Sequence, residues 1–226
     1  MTRLLLVLAA GLPLCAAAEE SVPANEPTIY LQAWLGGLGT KSDSWQATDT
    51  NNDSVLGDLG TLPFGGGAGQ KLWGSGAWKI GFEGGALGTW KSDNTQFRGV
   101  SNGGTNVEVT VDSKFFSFGV FMGAVASLNL SHYVRLYVAG GPSATWAWVD
   151  NGNNNDTTSN TVDLSNSDSD GSFVAYGRAG IEFALDSGFT FGASVRYADD
   201  DFSFGKAGDL KLNEPLYLLT LGAILR

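Results

Sequence analysis

From residue 77 to residue 90 the chain reads AWKIGFEGGALGTW, and alternate positions sort into two unlike sets. Trp78, Ile80, Phe82, Gly84, Ala86, Gly88 and Trp90 fall on one side; Lys79, Gly81, Glu83, Gly85, Leu87 and Thr89 fall on the other. Successive strand side chains point to opposite faces, so one face is apolar and the other is polar, charged or small. A soluble sheet would turn the apolar face inward. Here that face begins and ends on Trp, and the charges of the other face sit among glycines. Such a strand suits lipid outside and a narrow polar lumen inside. Twelve steps of about 3.4 Å, tilted by about 40°, rise about 31 Å, enough to cross an apolar band about 25 Å tall.

The same alternation predicts seven more strands. Residues 28–39 place Ile29, Leu31, Ala33 and Leu35 opposite Tyr30, Gln32 and Trp34. Residues 64–73 are nearly all Gly on one face. In 107–128, Phe116, Phe118, Val120, Met122, Ala124, Ala126 and Leu128 share one face, while Val107, Val109 and Val111 fall in the opposite phase. That switch predicts a bulge near residues 112–114, or a hairpin that continues beyond the membrane. In 133–149, Arg135, Tyr137, Ser143 and Thr145 face inward, and Pro142 removes one ladder donor, so a local distortion is expected. Segments 172–185 and 189–204 repeat the pattern, and 214–226 closes it. Short turns at 74–76, 129–132 and 186–188 alternate with long polar loops at 40–63, 92–106, 150–171 and 205–213.

Eight strands joined in this way predict an all-β protein, an eight-stranded antiparallel up-and-down transmembrane β-barrel. Short turns on one side and long loops on the other are the outer-membrane pattern, with termini and turns periplasmic and long loops extracellular.

The beginning of the chain adds a compartment. Residues 1–18 carry a basic start, an apolar run over 4–14 and an Ala-x-Ala site, and read as a secretory signal that is removed. The run is too short to span a bilayer as a helix, which takes about 20 residues. Residues 19–27 form a polar lead, and 28–226 the barrel. The single Cys15 leaves with the signal, so no disulfide is expected in the barrel. A formal net charge of −10 argues against nucleic acid as a partner.

This layout, with YVAGGPSATW (137–146) and GFTFGASVRYADDDF (188–202), resembles the small eight-stranded outer-membrane barrels: the OmpA-type transmembrane domain, its OmpX-like short forms and the OmpW family. The resemblance covers the chain after the signal. It implies an outer-membrane protein of a Gram-negative-type cell, delivered by periplasmic chaperones and the barrel-insertion machinery. One departure concerns the end of the chain. Family members usually finish on an aromatic residue, whereas here Gly222-Ala223-Ile224-Leu225 is followed by Arg226.

The candidate chemistry is concentrated inside the barrel. Lys79, Glu83, Arg135, Arg178, Glu182 and Arg196 all face inward on four strands, and an eight-stranded barrel is just wide enough for side chains to fill. Unpaired charges there would cost several kcal/mol, so an interior ionic network that plugs the lumen is expected, with a gated pore as the alternative. Trp78, Trp90, Trp146, Trp148 and Tyr197 form the expected aromatic girdle.

Asn166, Asp168 and Asp170, followed by Gly171, match positions 1, 3, 5 and 6 of a calcium loop, but Gly177 stands where the closing Glu belongs. Asp49, Asn51 and Asp53 make a similar partial match. The alternative is a solvated acidic surface that shares divalent cations with lipopolysaccharide phosphates.

An enzymatic role is not expected. The lone His132, beside Ser131 in a short turn, has no positioned third partner. No cofactor motif is present. The leading expectation is a structural or surface-interaction barrel with a polar plugged interior and acidic Asn/Asp-rich loops, in contact with outer-membrane lipid and lipopolysaccharide. The alternative, carried by the OmpW resemblance, is a narrow channel or carrier for small, apolar solutes. Inward Trp34, Phe115 and Phe121 would favour it if they lined a continuous cavity.

Overall fold

A computed structural model describes residues 27–41, 43–48, 53–100, 104, 106–152 and 166–225. Among them run twelve strands: β1 (Thr28–Gly39), β2 (Trp45–Thr48), β3 (Ser54–Asp58), β4 (Thr61–Trp73), β5 (Trp78–Val100), β6 (Asn106–Asn129), β7 (Val134–Asn151), β8 (Asn166–Ala184), β9 (Phe189–Ala198), β10 (Asp200–Ser203), β11 (Asp209–Leu212) and β12 (Leu216–Leu225). A single 3-10 turn lies at Gly205–Ala207. The expected signal peptide, residues 1–18, and nearly all of the lead, 19–27, lie outside the described residues.

Antiparallel pairing closes a ring in the order β1, β4, β5, β6, β7, β8, β9, β12 and back to β1. The four shorter strands extend members of that ring. β10 pairs with β11 in the register that β9 keeps with β12, across an interruption that contains Pro215, which has no N–H to donate. β2 and β3 form a hairpin that continues β1 and β4 past the ring and docks on β11 and β5. The fold is therefore an eight-stave barrel whose staves run beyond the band expected from the sequence.

The long loops are the main correction. Segment 40–63 contains β2 and β3, and 205–213 contains β11. Most of 92–106 is β5 and β6, paired from Trp78↔Leu128 to Val100↔Asn106. Much of the long polar segment 150–171 lies outside the described residues, and the rest belongs to β7 and β8. The 23 residues of β5 rise about 57 Å at a 40° tilt, roughly twice the apolar band. Asn, Asp and Ser favour loops locally, but long-range pairing overrides that preference.

No bulge occurs at Asp112–Lys114. Ser113 pairs with Asp93 on one side and Asn151 on the other, in unbroken register. What changes is the surroundings. The even positions of β6 face outward throughout, as Glu108, Thr110, Asp112 and Lys114, then Phe116, Phe118, Val120 and Met122. The odd positions face inward, with Val109, Val111 and Phe115 buried at the hairpin end and Ser117 and Ser127 buried lower down. Both faces exchange polarity at one level of the barrel. On β5, Trp90 is 72% exposed while Phe97, on the opposite face and further up, is fully buried.

The hairpin end thus carries an ordinary apolar core. Trp45, Leu62, Phe97, Phe115, Phe202, Phe204 and Leu210 are fully or almost fully buried there. Trp45 packs edge-on against Phe97 at 5.3 Å, and its indole Nε1–H donates to the Ala207 carbonyl at 2.8 Å. At the other end the staves join through short turns. Gly74 and Gly76 take φ of 141° and 76°, and Gly188 takes 85°, which side chains with a Cβ rarely adopt.

Pro142 faces outward, and the β6–β7 ladder lapses beside it between Phe121↔Ser143 and Ala124↔Gly140, then resumes unshifted. The local distortion is a missing bond pair and leaves the register intact.

Lysine substitutions on the outward face of β6 will separate the two environments. At Met122, mid-band, Lys should cost about 2–4 kcal/mol. At Thr110, on the same face of the same strand, the change should stay within about 0.5 kcal/mol. Reversible denaturant unfolding in lipid vesicles reads both; equal costs would refute the change of environment along the strand.

Candidate functional site

The barrel interior is organised around six side chains that close a hydrogen-bonded circuit. Arg135 donates through Nε (3.1 Å) and Nη2 to Glu182 Oε2, and through Nη1 to Gln70 Oε1 at 2.9 Å. Gln70 Nε2 donates to Glu83 Oε2 at 2.9 Å. Arg178 Nη2 donates to the same Glu83 oxygen, and its Nη1 donates to Gln32 Oε1 at 2.9 Å. Gln32 Nε2 completes the loop on Glu182 Oε1. The circuit consists of two Glu–Arg–Gln triplets, each joined head to tail with the other.

Register supplies two of the six links. Gln70 lies opposite Glu83 on β4 and β5, and Arg135 opposite Glu182 on β7 and β8. The remaining links, Gln32–Glu182, Arg135–Gln70, Arg178–Glu83 and Arg178–Gln32, depend on closure of the ring. Each glutamine accepts from an arginine and donates to a glutamate, so each amide has one orientation that satisfies both neighbours.

Aromatic faces and hydroxyls complete the layer. The Arg135 guanidinium lies 3.7 Å from the Tyr30 ring centroid, and that of Arg178 4.5 Å from Trp34. Arginine suits this place because its planar cation stacks while its edge forks to a carboxylate. Tyr176 donates to Glu83 Oε1 at 2.7 Å, and Arg178 donates to the Tyr137 hydroxyl at 3.1 Å. Interior glycines make room for these rings. A Cβ at Gly180 would lie 2.5 Å from the Tyr137 oxygen, and one at Gly123 2.8 Å from that of Tyr176.

Glu83, Arg135, Arg178 and Glu182 are all at most 5% exposed. The other two inward charges lie elsewhere. Lys79 is at the turn end, half-buried, and donates to Thr28 Oγ1 at 3.1 Å. Arg196 sits toward the hairpin end, where Nη2 donates to Ser143 Oγ at 2.9 Å and the guanidinium rests over Tyr176 and Phe121. The sequence reading missed both glutamines as members. Gln32 was visible in the inward phase of its strand, while Gln70 was hidden in a glycine-rich segment.

Trp34, Phe115 and Phe121 do not line a continuous cavity. Trp34 stacks on Phe121 with centroids 5.6 Å apart, Phe121 meets Tyr176 at 5.0 Å, and Phe115 is fully buried in the hairpin-end core. Between these layers lies a cavity of about 30 Å³, bordered by Ser117, Thr145, Arg196 and Asp200.

The candidate calcium residues Asn166, Asp168 and Asp170 belong to β8. An extended strand sets them about 6.8 Å apart per pair of residues along one face, so they do not wrap a single ion as a loop would. Asp170 Oδ2 instead accepts the Ser203 amide at 2.7 Å. Of the second partial match, residues 49–52 lie outside the described residues. Among the described residues no three His, Cys, Asp or Glu side chains cluster for a metal. His132 is exposed and packs edge-on against Tyr133.

The aromatics expected as a girdle all face outward. Trp78 is exposed at the turn end; Trp90, Phe116 and Trp148 form one cross-strand row toward the hairpin end, with Trp146 and Tyr197 exposed nearby.

A family model described as "outer membrane protein beta-barrel domain" matches residues 4–214. OprG from Pseudomonas aeruginosa is similar in structure, with a TM-score of 0.51 at 10% identity over 89% of this chain and 97% of that one. Ail from Yersinia pestis aligns with a TM-score of 0.47 at 13% identity, covering 88% of this chain and 99% of that one. At such identities the OprG likeness speaks for the fold alone. No curated protein sequence matches the chain. A closed ring that turns Phe and Trp outward and buries its ions has only lipid to face along its middle, and the chain belongs to the outer-membrane β-barrel family.

Proposed function

We propose that this barrel is a closed, non-catalytic anchor that holds a rigid crown of β-hairpins at the cell surface, where the crown carries the interaction role. The observation behind this reading is double closure of the lumen. The Glu–Arg–Gln circuit crosses it within the membrane band, and the apolar core led by Trp45, Phe97, Phe115 and Phe202 fills it beyond. A solute path along the axis would have to break both.

In this reading the hairpin end is extracellular, and the turns and termini are periplasmic. The outward residues of the crown are mostly polar, with acidic groups such as Glu108, Asp112, Asp201 and Asp209 among scattered lysines. Cross-strand partners such as Arg98 and Glu108, 3.7 Å apart, leave that surface balanced in places and acidic in others. Lipopolysaccharide phosphates are the proposed neighbours, bridged to these carboxylates by divalent cations. Periplasmic chaperones and the insertion machinery are the proposed delivery partners.

Three experiments test the proposal. Purified protein in planar bilayers should show no steady conductance steps; sustained openings would reject the plug. Glu182→Ala strands Arg135 and the Gln32 amide, and should cost about 3–5 kcal/mol of unfolding free energy in vesicles; a loss under about 1 kcal/mol would show a solvated pair in a wet lumen. On intact cells, a membrane-impermeant amine reagent should label Lys114 and Lys206 but spare Lys71 at the turn end, and the reverse pattern would invert the topology.

A further inference from the structure

Above the circuit, the interior holds two more charged side chains, Arg196, bonded to Ser143, and Asp200, bonded to the hydroxyls of Ser172 and Thr145. Arg196 and Asp200 are 4% and 7% exposed, on one inward face of the β9–β10 stave. Arg196 Nε and Asp200 Oδ1 are both buried without a protein hydrogen-bond partner, and the two side chains form no ion pair. A buried donor and a buried acceptor left unmet in this way each carry the full cost of their lost hydration. Both border the cavity of about 30 Å³, whose polar side they share with Ser117, Thr145 and Glu214 and whose other side is apolar, with Leu38, Phe64 and Leu87. A polar cavity needs about 10–15 Å³ for each water it holds, and a water needs two to four polar partners. This one satisfies both conditions for about two.

We propose that this chamber, between the circuit and the apolar core, is a hydrated proton-binding site in which about two ordered waters join Arg196 to Asp200 by way of Ser117 and Thr145. Arg196 and Asp200 then form the third ionic pair of the interior, indirect where the other two are direct. Its acidic member is the proton acceptor, and the waters carry the hydrogen bonds that Arg196 Nε and Asp200 Oδ1 do not find in protein.

Asp200 lies beyond Tyr197, past the lipid-facing stretch of its stave, where the outward positions are the exposed carboxylates Asp199 and Asp201. Burial pushes its carboxyl above the ordinary range, while Ser172, Arg196 and Thr145 act in the opposite direction and the neighbouring Asp199 reinforces the rise. Glu214, at the chamber wall, is occupied by Lys41. Because the folded protein holds the Asp200 proton more tightly than the unfolded chain does, the carboxylate form costs stability above its folded pKa. That cost is relieved as pH falls through it. Mild acid therefore tightens this level of the barrel.

The test is a carbon-13 carboxyl NMR titration of aspartate-labelled, micelle-folded full chain, with Asp200 assigned by Asp200→Asn or, should that variant not fold, by Asp200→Glu. One aspartate should titrate above the exposed ones, and its carboxyl should show exchange-separated contacts to long-lived water. Ala198→Leu, which fills the chamber, should abolish the water contacts and shift the titration further up. In denaturant unfolding, wild type should gain stability relative to Asp200→Asn between neutral and mildly acidic pH. The proposal is overturned if Asp200 titrates with the exposed aspartates, if no bound water contacts it, or if Arg196 is found paired with it directly.

Discussion

Closure of one continuous hydrogen-bond ladder is the constraint from which the rest of this molecule follows. Once β1 pairs with β12, no stave has a free edge within the band, and every side chain must lie either inside or outside. Nothing can be half-buried at an edge strand, so the two faces are chosen by their surroundings. Outside, the band faces lipid. Inside, a ring of eight staves encloses a narrow space just wide enough for side chains to occupy, and whatever charge enters it has to be neutralised there.

The interior meets that demand with a circuit and not with isolated ion pairs. A lone buried glutamate–arginine pair leaves carboxylate lone pairs and guanidinium protons unsatisfied. Here the glutamines take up most of that surplus, each handing a hydrogen bond from an arginine to the next glutamate, and only Arg178 Nε in the circuit is left without a protein partner. Five staves contribute, so the circuit also ties distant parts of the wall together across the lumen. It braces the wall across the lumen, and the arginines gain further support from Tyr30 and Trp34 beneath their planes.

Beyond the aromatic row of Trp90, Phe116 and Trp148, the same staves pass from lipid into water and both faces exchange character. The upper half is built like a soluble barrel, with Phe97, Phe115 and Phe202 inside and Glu108, Thr110 and Asp112 outside. The exchange needs no bulge, because the backbone is indifferent to which solvent lies on which side. At the level of exchange the interior is neither circuit nor core, and Arg196 and Asp200 occupy it.

How much of this could be read along the chain depends on the range of the interaction involved. Alternation is local, so Trp78 through Trp90 declared their outward face, and Arg135, Arg178 and Glu182 their inward one, without any partner in view. Strand number and the short turns followed from the same two-residue period. The extent of the staves did not follow, since Asn- and Ser-rich segments such as 92–100 are strands only because β5 and β6 hold each other in register. The phase switch at Val111 and Phe116 was visible but ambiguous, because one chain carries no label for the height of the membrane. Arg178 meets Glu83 across 95 positions of sequence, and Gln70 becomes a member of the circuit only when its stave faces Arg135. Which side of a strand a residue occupies is a property of the chain; which residue it meets across the lumen arises from closing the ring, because that distance is spanned by the fold and by no periodicity.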